Sequence, residues 1–334
     1  MLYQLSYIPL RAHYRNPKEK GQHPKPRRRN GRPSFLSHRT RLNPKEMLSR
    51  TQIVVVVGLL LVAATVLNLA LRNRDPGRVP LVPPQRFRAW WLIVTSLVFF
   101  HVLGQNPVLG PIPNILGFTL LSIFALRQFF AHLKTPLSRH TKMVCYLSAL
   151  LQYLWVYIEW YGFFVVFVPV FLFLYLPVSD VNRDEASPLL QMGSVHWILM
   201  TAIFCLSHAA YLVVLPSGPG LVFYVVLITE FSDAVKMVLA RSKGPEWLSP
   251  ILSVAVALAT AWIVGPAFTP LRAEHIWLSG FVLGVAGVLG HMNISSLRKE
   301  LGLQVGGPME RVESLAYTAP IFLHGYRYFD YPFN

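Results

Sequence analysis

Charge and cysteine are both scarce in this chain. Only 14% of its 334 residues are Asp, Glu, Lys or Arg, where a soluble domain carries about a quarter. The two cysteines, Cys145 and Cys205, lie inside apolar stretches, which excludes a disulfide scaffold and a cysteine-rich zinc site and leaves them as small packing residues. No zinc-ligand spacing, Walker loop or dinucleotide fingerprint occurs, and Lys243-Gly244 lacks the rest of any phosphate loop.

Hydrophobic residues make up 53% of the chain and cluster in long runs. Nine windows approach the length of about 20 residues that a bilayer crossing needs: 53–71, 90–103, 109–130, 143–157, 160–176, 195–215, 221–239, 248–268 and 276–293. The expected fold class is therefore all-α, a polytopic integral membrane protein of about nine transmembrane helices. The second, fourth and fifth windows are short or closely spaced, so they are the weakest part of that count.

The net charge of +16 is unevenly placed. Residues 1–50 hold thirteen Lys and Arg against two Glu, eleven of the surplus. A polar, basic, proline-rich arm of this kind is expected to be disordered and to attract anionic lipid or nucleic acid without specificity, so no specific nucleic-acid partner is expected. Residues 51–334 form the membrane domain.

Loops rich in Lys and Arg favour the cytoplasm. Arg72, Arg74, Arg78, Arg86 and Arg88, then Lys134, Arg139 and Lys142, then the loops at 179–193 and 241–247 and the tail from Ser296 all fall on one side by the nine-crossing count. The arm at 1–50 falls on the other side, against the rule. A start at Met47, or a first segment that does not cross, would remove the conflict.

The most informative residues lie inside the seventh window, where Glu230, Asp233 and Lys236 recur at three-residue steps on one helix face. A carboxylate near the bilayer centre costs about 2.5 to 3.5 kcal/mol on insertion scales, so such groups face a wet cavity, a partner charge or a substrate. Lys236 is the simple neutralising partner. Arg241, Lys243, Ser249 and Ser253 follow. After the ninth window come Arg298-Lys299 and then Glu310-Arg311-Val312-Glu313-Ser314.

Paired carboxylates beside clustered cations suit Mg²⁺ and phosphate transfer: hard oxygens hold the metal, and the cations offset phosphate charge. The plainer readings are a membrane-flanking role for Arg298-Lys299 and a solvated helix face for Glu310 and Glu313. Gly280, Gly284, Gly287 and Gly290 read as a close-packing stripe. His208 and His291 read as hydrogen-bonded interior histidines, and Trp90, Trp91, Trp155 and Trp160 as interfacial anchors.

From about Arg86 to Phe329 the ordered series of short motifs resembles the phosphatidate cytidylyltransferases, or CDP-diacylglycerol synthases, in particular a bacterial branch. The markers are Arg86-Phe87-Arg88-Ala89-Trp90-Trp91, Phe124-Ala125-Leu126-Arg127-Gln128-Phe129, Ile158-Glu159-Trp160-Tyr161-Gly162, Cys205-Leu206-Ser207-His208 and Thr229-Glu230-Phe231-Ser232-Asp233. The series closes with Ala319-Pro320-Ile321-Phe322-Leu323-His324-Gly325-Tyr326-Arg327-Tyr328-Phe329.

The resemblance implies an enzyme of a bacterial inner membrane, its active face cytoplasmic, joining CTP to phosphatidate or a related anionic phospholipid with Mg²⁺ and releasing pyrophosphate. A homodimer is compatible with it. Asp233, Glu310 and Glu313 are the implied metal ligands, with Glu230 sharing or orienting charge. Arg298, Lys299 and Arg311 are implied at phosphates, and Arg241, Lys243, Ser249 and Ser253 at the bound substrates.

This chain departs from the family pattern at several places. Leu252 replaces the Lys of Ser-Pro-x-Lys-Thr, of which Ser249-Pro250 remain, and Arg241 stands for a Lys. Gln304-Val305 replaces a Lys-Asp pair, and Glu310 and Glu313 replace shorter aspartates. The rival expectation is a catalytically silent relative that binds anionic lipid or partners a phospholipid-synthesis enzyme. A transporter would show inverted repeats, and none is evident.

Overall fold

In the computed structural model, residues 50–74, 84–104, 106, 108–133, 136–179, 188–239, 245, 247–301 and 313–329 are described. The chain divides into units 1–39 and 40–334. The first lies outside the described residues, as do the rest of the basic arm up to residue 49 and the Met47 start.

Every regular element among the described residues is a helix. Apolar segments of this length leave few side chains to satisfy backbone polar groups, and a helix satisfies them within itself. In chain order these are α1 (Arg50–Arg74), α2 (Pro84–Leu103), α3 (Ile112–Ala131), α4 (Arg139–Tyr157), α5 (Tyr161–Val166), α6 (Phe173–Ser179), α7 (Pro188–Leu199), α8 (Leu206–Val214), α9 (Gly218–Leu239), α10 (Leu248–Phe268), α11 (Ala273–Leu301) and α12 (Glu313–Phe329). Two π-helical segments, Phe167–Leu172 and Met200–Cys205, join α5 to α6 and α7 to α8. The first contains Pro169, whose missing N–H interrupts the ordinary helical ladder. Ser138 caps α4, its hydroxyl accepting from the Thr141 backbone N–H at 3.1 Å.

Each of the nine apolar windows falls largely on helix, and among the described residues five stretches are long and apolar enough to cross a membrane: Ile112–Ala131, Tyr161–Val178, Gln191–Val214, Leu248–Phe268 and Ala273–Ser296. Val55–Ala70 and Trp90–Phe100 are shorter apolar stretches. Helix α9, which carries Glu230, Asp233 and Lys236, stands apart from the five, and thirteen of its 22 residues are buried. Large apolar side chains such as Leu59, Leu120 and Ile263 point outward, as on a surface that meets lipid rather than water.

Helix α9 packs against α8, α10, α11 and α12. The glycine stripe does the packing that its spacing predicts. A methyl group on Gly280 would sit 2.7 Å from the Ala261 Cβ, and one on Gly284 3.0 Å from the Ala257 Cβ, so α10 and α11 touch backbone to backbone. On the other side of α11, a methyl on Gly290 would fall 2.7 Å from the Tyr317 Cβ of α12. Tyr224, Phe268 and Leu323 lie in the apolar core around α9, and Phe129, Val168 and Leu199 in a second core built from α3, α4 and the segments from α5 to α8.

Candidate functional site

The C-terminal half of α9 brings its polar residues against three other helices. Helices α9 and α12 run antiparallel, with Thr229 and Thr318 hydroxyls 3.2 Å apart and the Tyr224 and Phe322 rings 5.5 Å apart. The Thr229 hydroxyl also donates to the Val225 carbonyl one turn back, at 2.7 Å.

Glu230 and Asp233 share that helix but have different surroundings. The Asp233 carboxylate is buried and accepts a 2.7 Å hydrogen bond from Lys236 Nζ, and the same ammonium donates to the Gly287 carbonyl of α11 at 2.8 Å. Gly287 is therefore more than a close-packing residue: its carbonyl is a ligand for a buried cation. A methyl there would lie 3.7 Å from Nζ, in ordinary contact. Pairing and a second acceptor make burial of both charges tolerable in a low-dielectric interior.

The Glu230 carboxylate meets α2 instead. It accepts a hydrogen bond of 2.5 Å from the indole N–H of Trp90. The interfacial-anchor reading of Trp90 thus gives way to a specific one, because its polar edge is spent on an acid of another helix and not on water. Trp91, its neighbour, bonds the Thr65 hydroxyl of α1 at 3.1 Å and is exposed, closer to the anchor expected.

Glu230 also lines a cavity of about 440 Å³ among α2, α3, α9 and α12. Apolar residues, among them Leu97, Phe100, Phe118, Leu121, Phe124 and Val226, make most of its wall, and Ser96, Asn114, Thr229 and Glu230 are the polar residues. This is the size range and makeup of ligand pockets, apolar with a few placed polar groups. Gly117 shapes it: a methyl there would lie 2.7 Å from the Phe100 ring.

Other expected site residues are placed with less detail. Ser253 is buried in α10 and donates to the Ser249 carbonyl at 2.7 Å, so its hydroxyl serves its own helix. Lys299 lies exposed near the end of α11, on which Arg298 also sits with its side chain outside the described residues. Glu313 opens α12, two residues before the cavity-lining Leu315, but its side chain is outside the described residues. Arg241, Lys243, Glu310 and Arg311 lie wholly outside them. Among the described residues no cluster of three or more His, Cys, Asp or Glu side chains can hold a metal. They offer Glu230 and the Lys236-paired Asp233, whereas Mg²⁺ takes six oxygens, usually one or two carboxylates plus phosphate and water.

His208 is the interior histidine expected: fully buried, with Nδ1 2.7 Å from the Phe204 carbonyl one turn earlier. His291 is exposed on α11, so it is not an interior residue. The convergence of Trp90 on Glu230 and of Gly287 on Lys236 had no sequence signal, since both contacts join residues far apart in the chain.

No family model matches the chain, and no solved structure matches it. Among curated proteins it is similar to one named Uncharacterized protein YnbB from Escherichia coli strain K12, 28% identical over 297 aligned positions that cover 81% of this chain and 96% of that protein.

Proposed function

We propose that this chain is a phosphatidate cytidylyltransferase-like membrane protein that transfers CMP from CTP to phosphatidate, giving CDP-diacylglycerol and pyrophosphate. The observation that carries the reading is a carboxylate, Glu230, set in the wall of an apolar cavity and held by Trp90. A lipid substrate needs an apolar slot for its chain beside a polar reaction point. The ordered motif series from Arg86 to Phe329 supplies the particular reaction.

In that reaction a phosphate oxygen of phosphatidate attacks the α-phosphorus of CTP in line, and the bond to the β-phosphate oxygen breaks as pyrophosphate leaves. The cavity takes an acyl chain. Glu230 and Asp233 set the charge at its polar end, and Arg298, Lys299 and Arg311 bind phosphates, with Arg241 and Lys243 near the nucleotide tail or lipid headgroup. Mg²⁺, when bound, would offset phosphate charge, drawing on Asp233, Glu310 and Glu313. The site opens to the cytoplasmic face of a bacterial inner membrane that the chain crosses about nine times.

A second reading has its own observation. Asp233 is already neutralised by Lys236, and Leu252 stands where the family has a phosphate-facing Lys, which suits a silent relative that binds anionic lipid. Purified protein with labelled CTP, phosphatidate and Mg²⁺ separates the two. CDP-lipid formed by the wild type and abolished in Asp233→Asn supports the enzyme; phosphatidate retention with no CDP-lipid supports the silent relative.

A further inference from the structure

Three sequence motifs that the CTP site does not use meet at the opposite end of the bundle. From the Thr229–Thr318 contact, Asp233 lies four residues along α9 one way and Arg327 nine residues along α12 the other, about 20 Å apart at 1.5 Å per residue. There Tyr161 of α5, His208 and Tyr211 of α8, and His324 and Arg327 of α12 form one cluster. The Arg327 guanidinium carbon lies 3.9 Å from the Tyr161 ring centre and 5.6 Å from that of Tyr211. The Tyr161 hydroxyl is 2.6 Å from His324 Nδ1. Tyr211 donates to the Glu159 carbonyl at 3.2 Å, in a turn where Glu159 takes the left-handed φ of 55°.

The plain reading of an Arg in the last turn of an apolar helix is a snorkelling anchor with its head in water. Arg327 is 8% exposed and its guanidinium lies over an aromatic face instead. The cation–π contact holds the guanidinium beside the Tyr161 ring. In the tautomer whose Nδ1 accepts from the Tyr161 hydroxyl, His324 carries its proton on Nε2 as a further donor, and the His324 side chain is exposed, which opens the cluster to the outside. The His208 ring lies 5.2 Å behind His324, fully buried, with an Nε2 that has no hydrogen-bond partner. Among the described residues, Glu159, exposed in the adjoining turn, is an acidic neighbour.

We propose that this cluster binds an anionic phosphate group, that of a phosphodiester lipid headgroup or of a phosphate from solution, with Arg327 and His324 as the donors and Tyr161 orienting both. Nothing in the proposed CTP reaction requires it.

The test uses the full-length protein, delipidated in detergent, with native mass spectrometry of bound phosphatidylglycerol and phosphatidylcholine and with thermal protection by inorganic phosphate. The expected result is selective retention of phosphatidylglycerol, with affinity for one equivalent about tenfold weaker in Arg327→Gln and in His324→Ala and unchanged in Glu230→Gln. Inorganic phosphate that protects the wild type, fails to protect Arg327→Gln and displaces the lipid assigns the same site to a soluble anion. Equal retention of both lipids without phosphate protection overturns the proposal, as does wild-type binding by His324→Ala, whose exposed side chain can be removed even if Arg327→Gln does not fold. Loss of CDP-lipid formation in Glu230→Gln with this binding intact keeps the two sites' fates separate.

Discussion

The indole N–H of Trp90 and the carboxylate of Glu230, 140 residues apart, form a hydrogen bond that ties α2 to α9 at the rim of the apolar cavity. One helix is thereby made the orienting partner of an acid on another. A hydrogen bond to an ionised group contributes about 1.5 to 3 kcal/mol. Trp90→Phe, which keeps the ring and removes the donor, is expected to destabilise the protein by about that amount, read as a lower melting temperature in detergent. An unchanged melt in Trp90→Phe together with a large loss in Glu230→Gln would mean that the indole contributes nothing to holding the acid.

Lys236→Met removes the ammonium that pairs with the buried Asp233 carboxylate. Removing one partner of a buried pair costs about 3 to 5 kcal/mol. The double variant Asp233→Asn/Lys236→Met is expected to recover much of that loss, because no uncompensated charge remains. A double-mutant cycle by denaturant unfolding measures the difference, and strict additivity would contradict the pairing.

Gly290→Ala forces a methyl to 2.7 Å from Tyr317, whereas Gly58→Ala on α1 meets nothing within 4 Å. The first is expected to cost about 1 to 3 kcal/mol through overpacking. The second is expected to be neutral or to stabilise by up to about 1 kcal/mol from helix propensity. Paired melting curves check both.

Leu97→Trp narrows the cavity from the α2 side. If an acyl chain occupies it, the KM for phosphatidate rises about tenfold, within the range that pocket contacts discriminate, while the KM for CTP stays where it is. A parallel rise in both constants would place the lipid elsewhere.

The helical class and the placement of apolar segments were legible because long apolar runs admit few other structures. The glycine stripe was legible for a similar reason: steps of three and four put Gly280, Gly284 and Gly287 along one side of α11, and close approach follows from their size. The Asp233–Lys236 pair followed from three-residue spacing on one helix. The tie between Trp90 and Glu230 was not legible, because a tryptophan near the end of an apolar helix looks the same whether its N–H meets water or a distant acid. Likewise Gly287 gave no sign that its carbonyl, rather than its missing side chain, matters to Lys236.

Local periodicity and composition by themselves determined that this chain is helical, rich in apolar spans and marked by an acidic pair on α9, since helix geometry relates residues only three or four positions apart. That Lys236 also meets the Gly287 carbonyl, and that Glu230 meets Trp90 and a cavity, was decided by packing. Asp233 reaches Lys236 and, through it, α11; Glu230 turns to α2. The physical reason is that helix geometry fixes only partners on the same helix, whereas the donor or acceptor that a neighbouring helix presents is chosen by tertiary contact.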